Sequence, residues 1–465
     1  MPAPSRADLS RDAYHRWLAA VLAAAAILGF ARLGTPAVWL DEASSWYNAS
    51  GTWAHVWQRA VEGEDTGGIL YSVLLKGWIG LAGTSEAAMR APGILLLLGF
   101  VGALARAARL TAGRAAGACT AAVALAHPSV LPAARQARGY ILLLTLTALA
   151  LLAIAHRLSG RRRLPAWLLA LASLGAAATH VFGVFVAVGA ALCHAAVTWR
   201  DGGPRRGVRA VHGLSVALPA VLFSLVWSLL IWDRVVRNLD SFWIPGTLAS
   251  NYAATALLLL APLAAAAAWL LWTDRSPRTR LVVFGLALFA VPIAAGPGMV
   301  SAWSPGTTHL VMVRYALGLV PLAALAAGIA LSRLPSRWLV PLLAVAILAS
   351  AGYSTSKNVY AGATRNGQDI RGAVAFLTRH AAPGDVLFVE PFNNWLVLEY
   401  YGVRTRSRDG SGTGWRVVEA PLAAGAPAPH TTWLVRFSRR TLLGPEVLAR
   451  VTETRQFGLI TVARD

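Results

Sequence analysis

RWLAAVLAAAAILGFARLGTPAVWLDEASSWY, residues 16–47, joins an apolar run of bilayer-spanning length to an Asp-Glu pair that is set among aromatic residues. Of the 465 residues, 56% are hydrophobic and only 14% are charged, whereas an average soluble domain carries about 25% charged residues. This number of charged residues is too small to cover a water-facing surface. We therefore predict an α-helical polytopic membrane protein. About eleven spans are expected from run length, near 16–35, 89–108, 115–133, 139–156, 165–180, 181–199, 211–232, 252–272, 281–299, 314–332 and 337–353. The pair 165–180 and 181–199 could instead be one long helix followed by a re-entrant segment.

Basic residues mark alternate loops between these spans. The chain has 42 Lys and Arg residues against 21 Asp and Glu, and clusters such as arginines 161–163 recur in every second loop. The positive-inside rule makes these loops cytoplasmic. The N-terminus is then inside a plasma membrane and, with an odd number of spans, the C-terminus is outside. The net charge of +21 is thus mainly a topology signal, and we expect membrane lipids but no nucleic acid as partners.

The acids cluster at the predicted outer face. No predicted span has an acid in its interior, which counts against a proton-coupled transporter because such proteins bury carboxylates within the membrane. Most of the outer acids lie in the first outer loop, residues 36–88. Within that loop, the apolar segment 67–83 is predicted to be an interfacial helix rather than a span, because a further span would invert every loop that follows.

Asp41 and Glu42 follow the first span closely. A partly desolvated carboxylate at this position could act as a general base on an acceptor hydroxyl. The alternative is that both acids lie in the first turn of a helix and interact favourably with its dipole. Sequence position alone leaves both interpretations open.

Arginine side chains at the outer face could bind phosphate, because a guanidinium group contacts phosphate oxygens bidentately. Arg135 and Arg138 follow the third span, and Arg314 begins the tenth. For Arg135 the alternative is snorkelling to lipid headgroups. His180 stands at a short turn, ATHVFG, where a packing role is the alternative to a binding role.

Five segments resemble, in order, the GT-C type glycosyltransferases of family 39, the protein mannosyltransferase and aminoarabinose transferase relatives. They are LDEASSWY, GGILYSVLLKGWIGLAGTSEAAMRAPGILLLL, LPAARQARGYILLL, ATHVFGVF and VMVRYALGLVPLAALAAGIA. The tail beginning QDIRGAVAFLTRHAAPGDVLFVEP also resembles the outer domain of many bacterial members. The resemblance implies a GT-C fold and an inverting transferase that moves a hexose or pentose from a polyprenyl-phosphate donor to a glycan, lipid or protein acceptor outside the membrane.

The resemblance also implies roles for particular residues. Asp41 matches the family's catalytic base and Glu42 its companion. Arg138, His180 and Arg314 match positions that face the donor phosphate and sugar in an outer cavity. Three tyrosines accompany them among the expected substrate-binding residues: Tyr71, Tyr140 and Tyr315.

One segment departs from the family pattern. Many relatives carry a basic residue and two prolines before a Leu-Tyr pair, whereas this chain has Asp65, Thr66, Gly67 and Gly68 before Ile69. Phosphate binding at this point is therefore in doubt. Asp65 could contact the acceptor or a metal, or it could cap the interfacial helix together with Thr66.

Residues 354–465 differ in composition from the membrane domain, residues 1–353. Ile370, Val374 and Leu377 follow a helical spacing, and DVLFVE, TTWLVRFS and GLITVARD read as strands. We predict a small extracytoplasmic α/β domain. Cys119 and Cys193 fall inside apolar spans and are predicted to be buried thiols rather than a disulfide.

The alternative to the transferase is a lipid-linked saccharide flippase or binding protein without catalysis. A flippase needs polar groups through the membrane, whereas the acids here lie at one rim. A divalent metal could accompany the Asp-Glu pair, but no compact cluster of His, Cys and carboxylate side chains in the sequence requires one. We therefore expect no certain cofactor and assign no metal ligand.

Overall fold

A computed structural model of the chain describes most of the apolar segments and parts of the C-terminal domain. The described residues are 9–62, 68–160, 166–200, 206–238, 247–303, 313–334, 345–346, 349, 368–381, 385–390, 394–403, 405–406, 415–418, 432–437 and 452–464. Internal contacts divide the chain into two units. The first comprises Met1–Ala31, Thr52–Gly77 and Arg90–Ser354, and the second comprises Arg32–Gly51, Trp78–Met89 and Thr355–Asp465. The second unit thus joins parts of the segment predicted to be the first outer loop, which the sequence assigns to the membrane domain, to the C-terminal residues.

Helices make up nearly all of the described chain before residue 335. Their bounds are α1 Arg11–Phe30, α2 Leu40–Ala49, α3 Trp53–Glu62, α4 Ile69–Ala82, α5 Glu86–Ala112, α6 Arg114–Ala126, α7 Val130–Ala134, α8 Tyr140–Leu158, α9 Ala166–Thr179, α10 Gly183–Arg200, α11 Arg206–Ser215, α12 Leu218–Asn238, α13 Leu248–Thr255, α14 Ala261–Thr273, α15 Pro277–Trp303 and α16 Leu319–Leu331. A π-helical turn, Ala256–Leu260, joins α13 to α14. Pro262, two residues after this turn ends, lacks the N–H that would continue the regular pattern of helical hydrogen bonds.

Among the described residues, seven helical segments are long and apolar enough to cross a membrane: Arg11–Phe30, Glu86–Ala112, Tyr140–Leu158, Gly183–Arg200, Gly213–Leu230, Ala249–Thr273 and Pro277–Met299. Each corresponds to a predicted span. Three further predicted spans coincide with the shorter apolar helices α6, α9 and α16. The predicted span 337–353 lies almost entirely outside the described residues. The polytopic helical class is confirmed, whereas the count of eleven spans is not.

The predicted spans 165–180 and 181–199 are two separate helices, α9 and α10, joined by a tight turn at His180. The backbone N–H of Gly183 donates a hydrogen bond to the carbonyl of His180 at 2.7 Å, and the N–H of His180 donates to that of Ala176 at 3.2 Å. One long helix through this region is therefore wrong. The turn fixes a histidine at the end of two apolar helices.

Helix α4 covers the segment that we predicted to be interfacial. Its 14 residues give a length of about 21 Å, which is short for the hydrocarbon core of about 30 Å. Helix α9, which coincides with a predicted span, has the same length, so length does not distinguish an interfacial helix from a span here. The location of α4 in the membrane interface stays a prediction.

The C-terminal residues form a small α/β sheet domain. In the part of this region that the structure describes, two helices, α17 Ile370–His380 and α18 Trp395–Tyr400, accompany six strands: β1 Val386–Glu390, β2 Thr405–Arg406, β3 Trp415–Val418, β4 Thr432–Arg436, β5 Glu453–Phe457 and β6 Ile460–Arg464. The strand order is β2-β3-β1-β4-β6-β5. Strands β2, β3, β1 and β4 are parallel, and β6 pairs antiparallel with β4 and β5.

The predicted apolar face of the tail helix forms part of the core of this domain. Ile370, Val374 and Leu377 are buried, and each such side chain contributes roughly 1.5–3 kcal/mol to stability when fully removed from water. Asp369 begins the helix, since its side chain accepts a hydrogen bond from the backbone N–H of Gly372 at 3.0 Å. The small α/β domain predicted from the sequence is therefore confirmed.

Candidate functional site

Arg138 and Tyr140 lie where α8 begins, at one end of a buried helix. Arg138 precedes the helix and Tyr140 is its first residue. The guanidinium carbon of Arg138 is 5.9 Å from the centre of the Tyr140 ring, within the range of a cation–π interaction. Both side chains are buried.

His180, in the turn between α9 and α10, is surrounded by aromatic rings. Its ring centre lies 5.9 Å from that of Tyr140 and 5.7 Å from that of Tyr315, and Phe182 stacks on it at 5.6 Å. The backbone N–H of Phe182 donates a hydrogen bond to Nδ1 of His180 at 3.2 Å. Since Nδ1 accepts this bond, Nε2 carries the proton in the neutral ring and presents a hydrogen-bond donor.

Arg314 and Tyr315 lie in a 3-10 turn, Val313–Ala316, that precedes α16. The guanidinium carbon of Arg314 is 5.3 Å from the centre of the Tyr315 ring, and its Nη2 is 3.5 Å from the tyrosine hydroxyl. His180 therefore lies between two tyrosines, each of which carries an arginine. We call this group the arginine–aromatic cluster; its members are Arg138, Tyr140, His180, Phe182, Arg314 and Tyr315.

The segment that departs from the family pattern packs against the same turn. The N–H of Gly68 donates to the carbonyl of Thr179 at 2.7 Å, and a Cβ at Gly68 would overlap the carbonyl of Ala178. A proline has no N–H and a larger side chain, so it fits neither requirement. Tyr71, three residues further along, is buried, and its Cβ lies 3.4 Å from where a side chain at Gly139 would begin. Asp65 lies outside the described residues.

Asp41 and Glu42 belong to the second unit, in the first turn of α2. Asp41 is half-buried and Glu42 is fully buried. The hydroxyl of Ser45 donates to the backbone carbonyl of Asp41 at 3.1 Å. First-turn placement agrees with a favourable interaction with the helix dipole. The role of Asp41 as a general base stays a prediction.

Arg135 is not an exposed, snorkelling arginine. Its side chain is buried, and Nη1 donates to the backbone carbonyls of Leu28, at 3.0 Å, and Gly29 in the last turn of α1. The last carbonyls of an α-helix commonly accept hydrogen bonds from groups outside the helix. The cation near a helix C-terminus is also favoured by the dipole. The snorkelling interpretation is therefore wrong, and Arg135 holds the end of α1.

Phe182 was missed by the sequence analysis. It stacks on His180 and lies 5.0 Å from the Tyr315 ring. The sequence feature that could have identified it is the aromatic residue two positions after the histidine in ATHVFG. A phenylalanine in an apolar segment is, however, normally interpreted as a packing residue. Among the residues that the structure describes, no group of three or more His, Cys, Asp or Glu side chains is arranged to hold a metal ion.

Comparison with known proteins identifies similar folds but no close relative. No protein-family model and no curated protein sequence matches this chain. Among solved structures, ArnT from Cupriavidus metallidurans in the apo state is 15% identical, covers 97% of this chain and 98% of its own, and superposes with a TM-score of 0.65. The same protein bound to undecaprenyl phosphate is 15% identical over 98% of both chains, with a TM-score of 0.58.

A third structure is more distant. An Archaeoglobus fulgidus oligosaccharyltransferase, tethered to an acceptor peptide containing an NVT sequon, is 11% identical and has a TM-score of 0.48. It covers 83% of this chain and 63% of its own length. The agreement with ArnT extends along nearly the whole of both chains. This chain therefore has the GT-C type of membrane fold that the sequence resemblance implied.

Proposed function

We propose that this protein is an inverting glycosyltransferase, which moves a sugar from a polyprenyl-phosphate donor to a hydroxyl of a glycan, lipid or protein acceptor on the outer face of the membrane. The observation that carries the proposal is the arginine–aromatic cluster, in a chain whose fold matches that of ArnT bound to undecaprenyl phosphate. Each of the two arginines contacts a tyrosine, and both tyrosines contact His180. This group supplies the positive charge and the hydrogen-bond donors that bind a lipid-linked phosphate.

The cluster supplies positive charge and hydrogen-bond donors in a buried setting. Arg138 is 9% exposed and His180 is 4% exposed, so their interactions with an anion are weakly screened by solvent. A guanidinium held over a tyrosine ring is also restricted in its orientation. These properties support phosphate binding by Arg138 and Arg314 and a hydrogen bond to the donor from Nε2 of His180.

Asp41 is assigned the role of general base. Its carboxylate takes the proton of the acceptor hydroxyl as the acceptor oxygen attacks the anomeric carbon of the sugar. The bond between that carbon and the phosphate oxygen breaks, and the polyprenyl phosphate leaves with both electrons of the bond. Attack from the face opposite the leaving group inverts the configuration. The leaving phosphate needs cationic stabilisation rather than protonation.

Glu42 and the tyrosines have supporting roles in this proposal. Glu42 is fully buried, so it is assigned to supporting the first turn of α2 rather than to contact with substrate. Tyr71, Tyr140 and Tyr315 contribute to the donor site, where Tyr140 and Tyr315 orient the arginines. A divalent metal ion beside Asp41 is compatible with the Asp-Glu pair, and carboxylate oxygens suit a hard cation.

The proposal is tested in a strain that lacks this protein. Mass spectrometry of its cell-envelope glycans identifies the sugar that disappears, and complementation with the wild-type chain restores it. We expect Asp41→Asn to restore less than one hundredth of the wild-type level, on the order of the loss from removing a general base. Glu453→Gln is the matched control, because Glu453 is a partly exposed acid on strand β5.

Three results would contradict parts of the proposal. Full complementation by Asp41→Asn would reject Asp41 as the base. An unchanged glycan profile in the deletion strain would reject glycosyl transfer. If wild-type protein in vesicles moved a lipid-linked saccharide across the bilayer without forming a new glycosidic bond, the flippase alternative would replace the transferase.

A further inference from the structure

Arg371, in the first turn of α17, contacts two separate parts of the first outer loop within the second unit. Its Nη1 donates to the carbonyl of Thr35 at 2.9 Å and its Nη2 donates to that of Gly34 at 3.1 Å. The same Nη2 lies 2.6 Å from Oε1 of Glu86, the first residue of α5. One guanidinium therefore joins the segment that leads into α2 to the start of α5.

Tyr401 makes a second connection between the same two segments. Its hydroxyl accepts a hydrogen bond from the backbone N–H of Val38 at 2.8 Å and donates to Oε1 of Glu86 at 3.2 Å. Burial raises the pKa of Tyr401 to about 12, so the hydroxyl keeps its proton at neutral pH. Burial is the largest single influence on the pKa of Arg371 and acts to lower it, but the hydrogen bonds and electrostatic interactions with Glu86 and Tyr401 together outweigh burial, so the pKa is raised. The donors in this network therefore remain protonated through the physiological range.

Helix α18 holds the other end of α2. The rings of Trp46 and Tyr400 meet edge to face at 5.3 Å, and those of Tyr47 and Trp395 do so at 5.4 Å. Such pairs contribute about 0.5–1.5 kcal/mol each beyond the area that they bury. The hydroxyl of Tyr400 also donates to the carbonyl of Thr84 at 2.7 Å.

The contacts lie on the side of α2 away from Asp41. At 100° per residue, Trp46 is about 140° and Tyr47 about 120° around the helix from Asp41. The C-terminal residues thus contact the face of α2 that carries Trp46 and Tyr47. They also contact the backbone that leads into this helix.

We propose that the C-terminal domain positions the catalytic helix: Arg371 and Tyr401, through Glu86 and the backbone of residues 34–38, set the orientation of α2 and hence of Asp41. This inference rests on the proposed function and adds positioning residues to it. The physical reason is that a displacement of about 1 Å at a reacting group can cost a factor of about 100 in rate. A base on a short helix in an outer loop needs external support to avoid that loss.

Hydrogen–deuterium exchange in the full-length protein tests the anchoring directly. In Arg371→Ala, we expect the amides of residues 38–50 to exchange about tenfold faster, because each hydrogen bond to a charged group contributes a factor of about ten or more. Tyr401→Phe, which keeps the ring and removes only the hydroxyl, should give a smaller increase in the same segment. Arg379→Ala is the control, since Arg379 is exposed in the last turn of the same helix.

Two further measurements separate positioning from a loss of structure. In the deletion strain, we expect Arg371→Ala to lower glycan transfer about tenfold, on the scale of a lost charge-assisted hydrogen bond. Binding of undecaprenyl phosphate by the purified variant should stay within about twofold of wild type, because the arginine–aromatic cluster is unchanged. Arg371→Lys, which retains the charge and one donor, should recover part of the transfer.

The results distinguish this inference from the proposed function. Unchanged exchange of residues 38–50 in both Arg371→Ala and Tyr401→Phe would overturn the positioning role, whatever Asp41 does. Faster exchange with undiminished transfer would also overturn it. Faster exchange and reduced transfer, together with full activity of Asp41→Asn, would support anchoring of α2 by the C-terminal domain and reject Asp41 as the base.

Discussion

The backbone N–H of Gly68 donates to the carbonyl of Thr179 at 2.7 Å, which places the start of α4 against the turn that carries His180. A Cβ at residue 68 would overlap the carbonyl of Ala178. Gly68→Ala should therefore destabilise the protein by about 1–3 kcal/mol. Gly68→Pro should cost more, because the hydrogen bond is also lost. The melting temperature of the detergent-solubilised protein measures both effects.

Gly77→Ala is the matched control for this substitution. Gly77 is inside α4, and apart from its chain neighbours and the backbone of its own helix, no described atom lies within 4 Å of where a Cβ at Gly77 would be. Alanine is favoured over glycine in a helix by about 0.5–1 kcal/mol, so the melting temperature should stay the same or rise. If Gly68→Ala behaved like Gly77→Ala, the close approach of residue 68 to the carbonyl of Ala178 would be disproved.

Arg138 and Arg314 should both contribute to binding of a polyprenyl phosphate. Removing one guanidinium from a charge-assisted interaction costs about 1.5–3 kcal/mol, so Arg138→Ala and Arg314→Ala should each raise the Kd for undecaprenyl phosphate about 10- to 100-fold. Lysine should restore only part of the affinity, because it cannot bind bidentately. Arg275→Ala, at an exposed position, is the control. An unchanged Kd in both cluster variants would reject their assignment as phosphate ligands.

The sequence was most informative where one physical requirement acts along a contiguous segment. Bilayer thickness determines the length of apolar runs such as 140–158, and loop charge records topology, so the helical membrane class could be predicted. The apolar spacing of Ile370, Val374 and Leu377 likewise predicted a buried helix face. Arg138 and Arg314 could be named as candidates because guanidinium groups bind phosphate oxygens bidentately and because both residues match positions in the family that the sequence resembles.

Contacts between distant segments could not be predicted in the same way. Glu86 was recognised as an acid at the outer face, but nothing local connects it to Arg371, 285 residues away. Arg135 and Arg138 stand three residues apart in similar surroundings, yet Arg135 satisfies the end of α1 whereas Arg138 joins the cluster. The roles of the two arginines differ because the end of α1 lies beside Arg135. Tertiary packing determines which helix end lies beside each arginine.

Asp274 provides a test that depends on pH. Its Oδ2 accepts hydrogen bonds from the Thr279 hydroxyl at 2.6 Å and from Nη2 of Arg333 at 3.0 Å, which connects the ends of α14, α15 and α16. The bond from Thr279 is the main cause that lowers the pKa of Asp274 to about 2. The folded state therefore favours the ionised form, and this stabilisation is present above the ordinary pKa of 3.8 and lost as pH falls towards 2.

Asp274→Asn should lower the melting temperature at neutral pH, by an amount that corresponds to roughly 0.2–1 kcal/mol for a partly exposed pair. The difference from wild type should stay constant from pH 7 to about 5 and should shrink below about pH 4. Thermal melts of both proteins across this range provide the measurement. A difference that grew as the pH fell would show that the carboxylate is not stabilised in the folded state.

The indole of Trp433 provides a test of the C-terminal domain. Its Nε1 donates to Oδ2 of Asp385 at 2.8 Å, and both residues are buried. Asp385→Ala leaves this N–H without its acceptor in the core, at a cost of about 1–3 kcal/mol. Hydrogen exchange in strands β1 and β4 should therefore accelerate.

Two further variants test the hydrogen bond itself. Asp385→Asn keeps an oxygen acceptor and should have a smaller effect. Trp433→Phe combined with Asp385→Ala should cost less stability than the sum of the two single changes, because the hydrogen bond is lost only once. Additive costs would show that the hydrogen bond between the indole and the carboxylate does not stabilise the sheet.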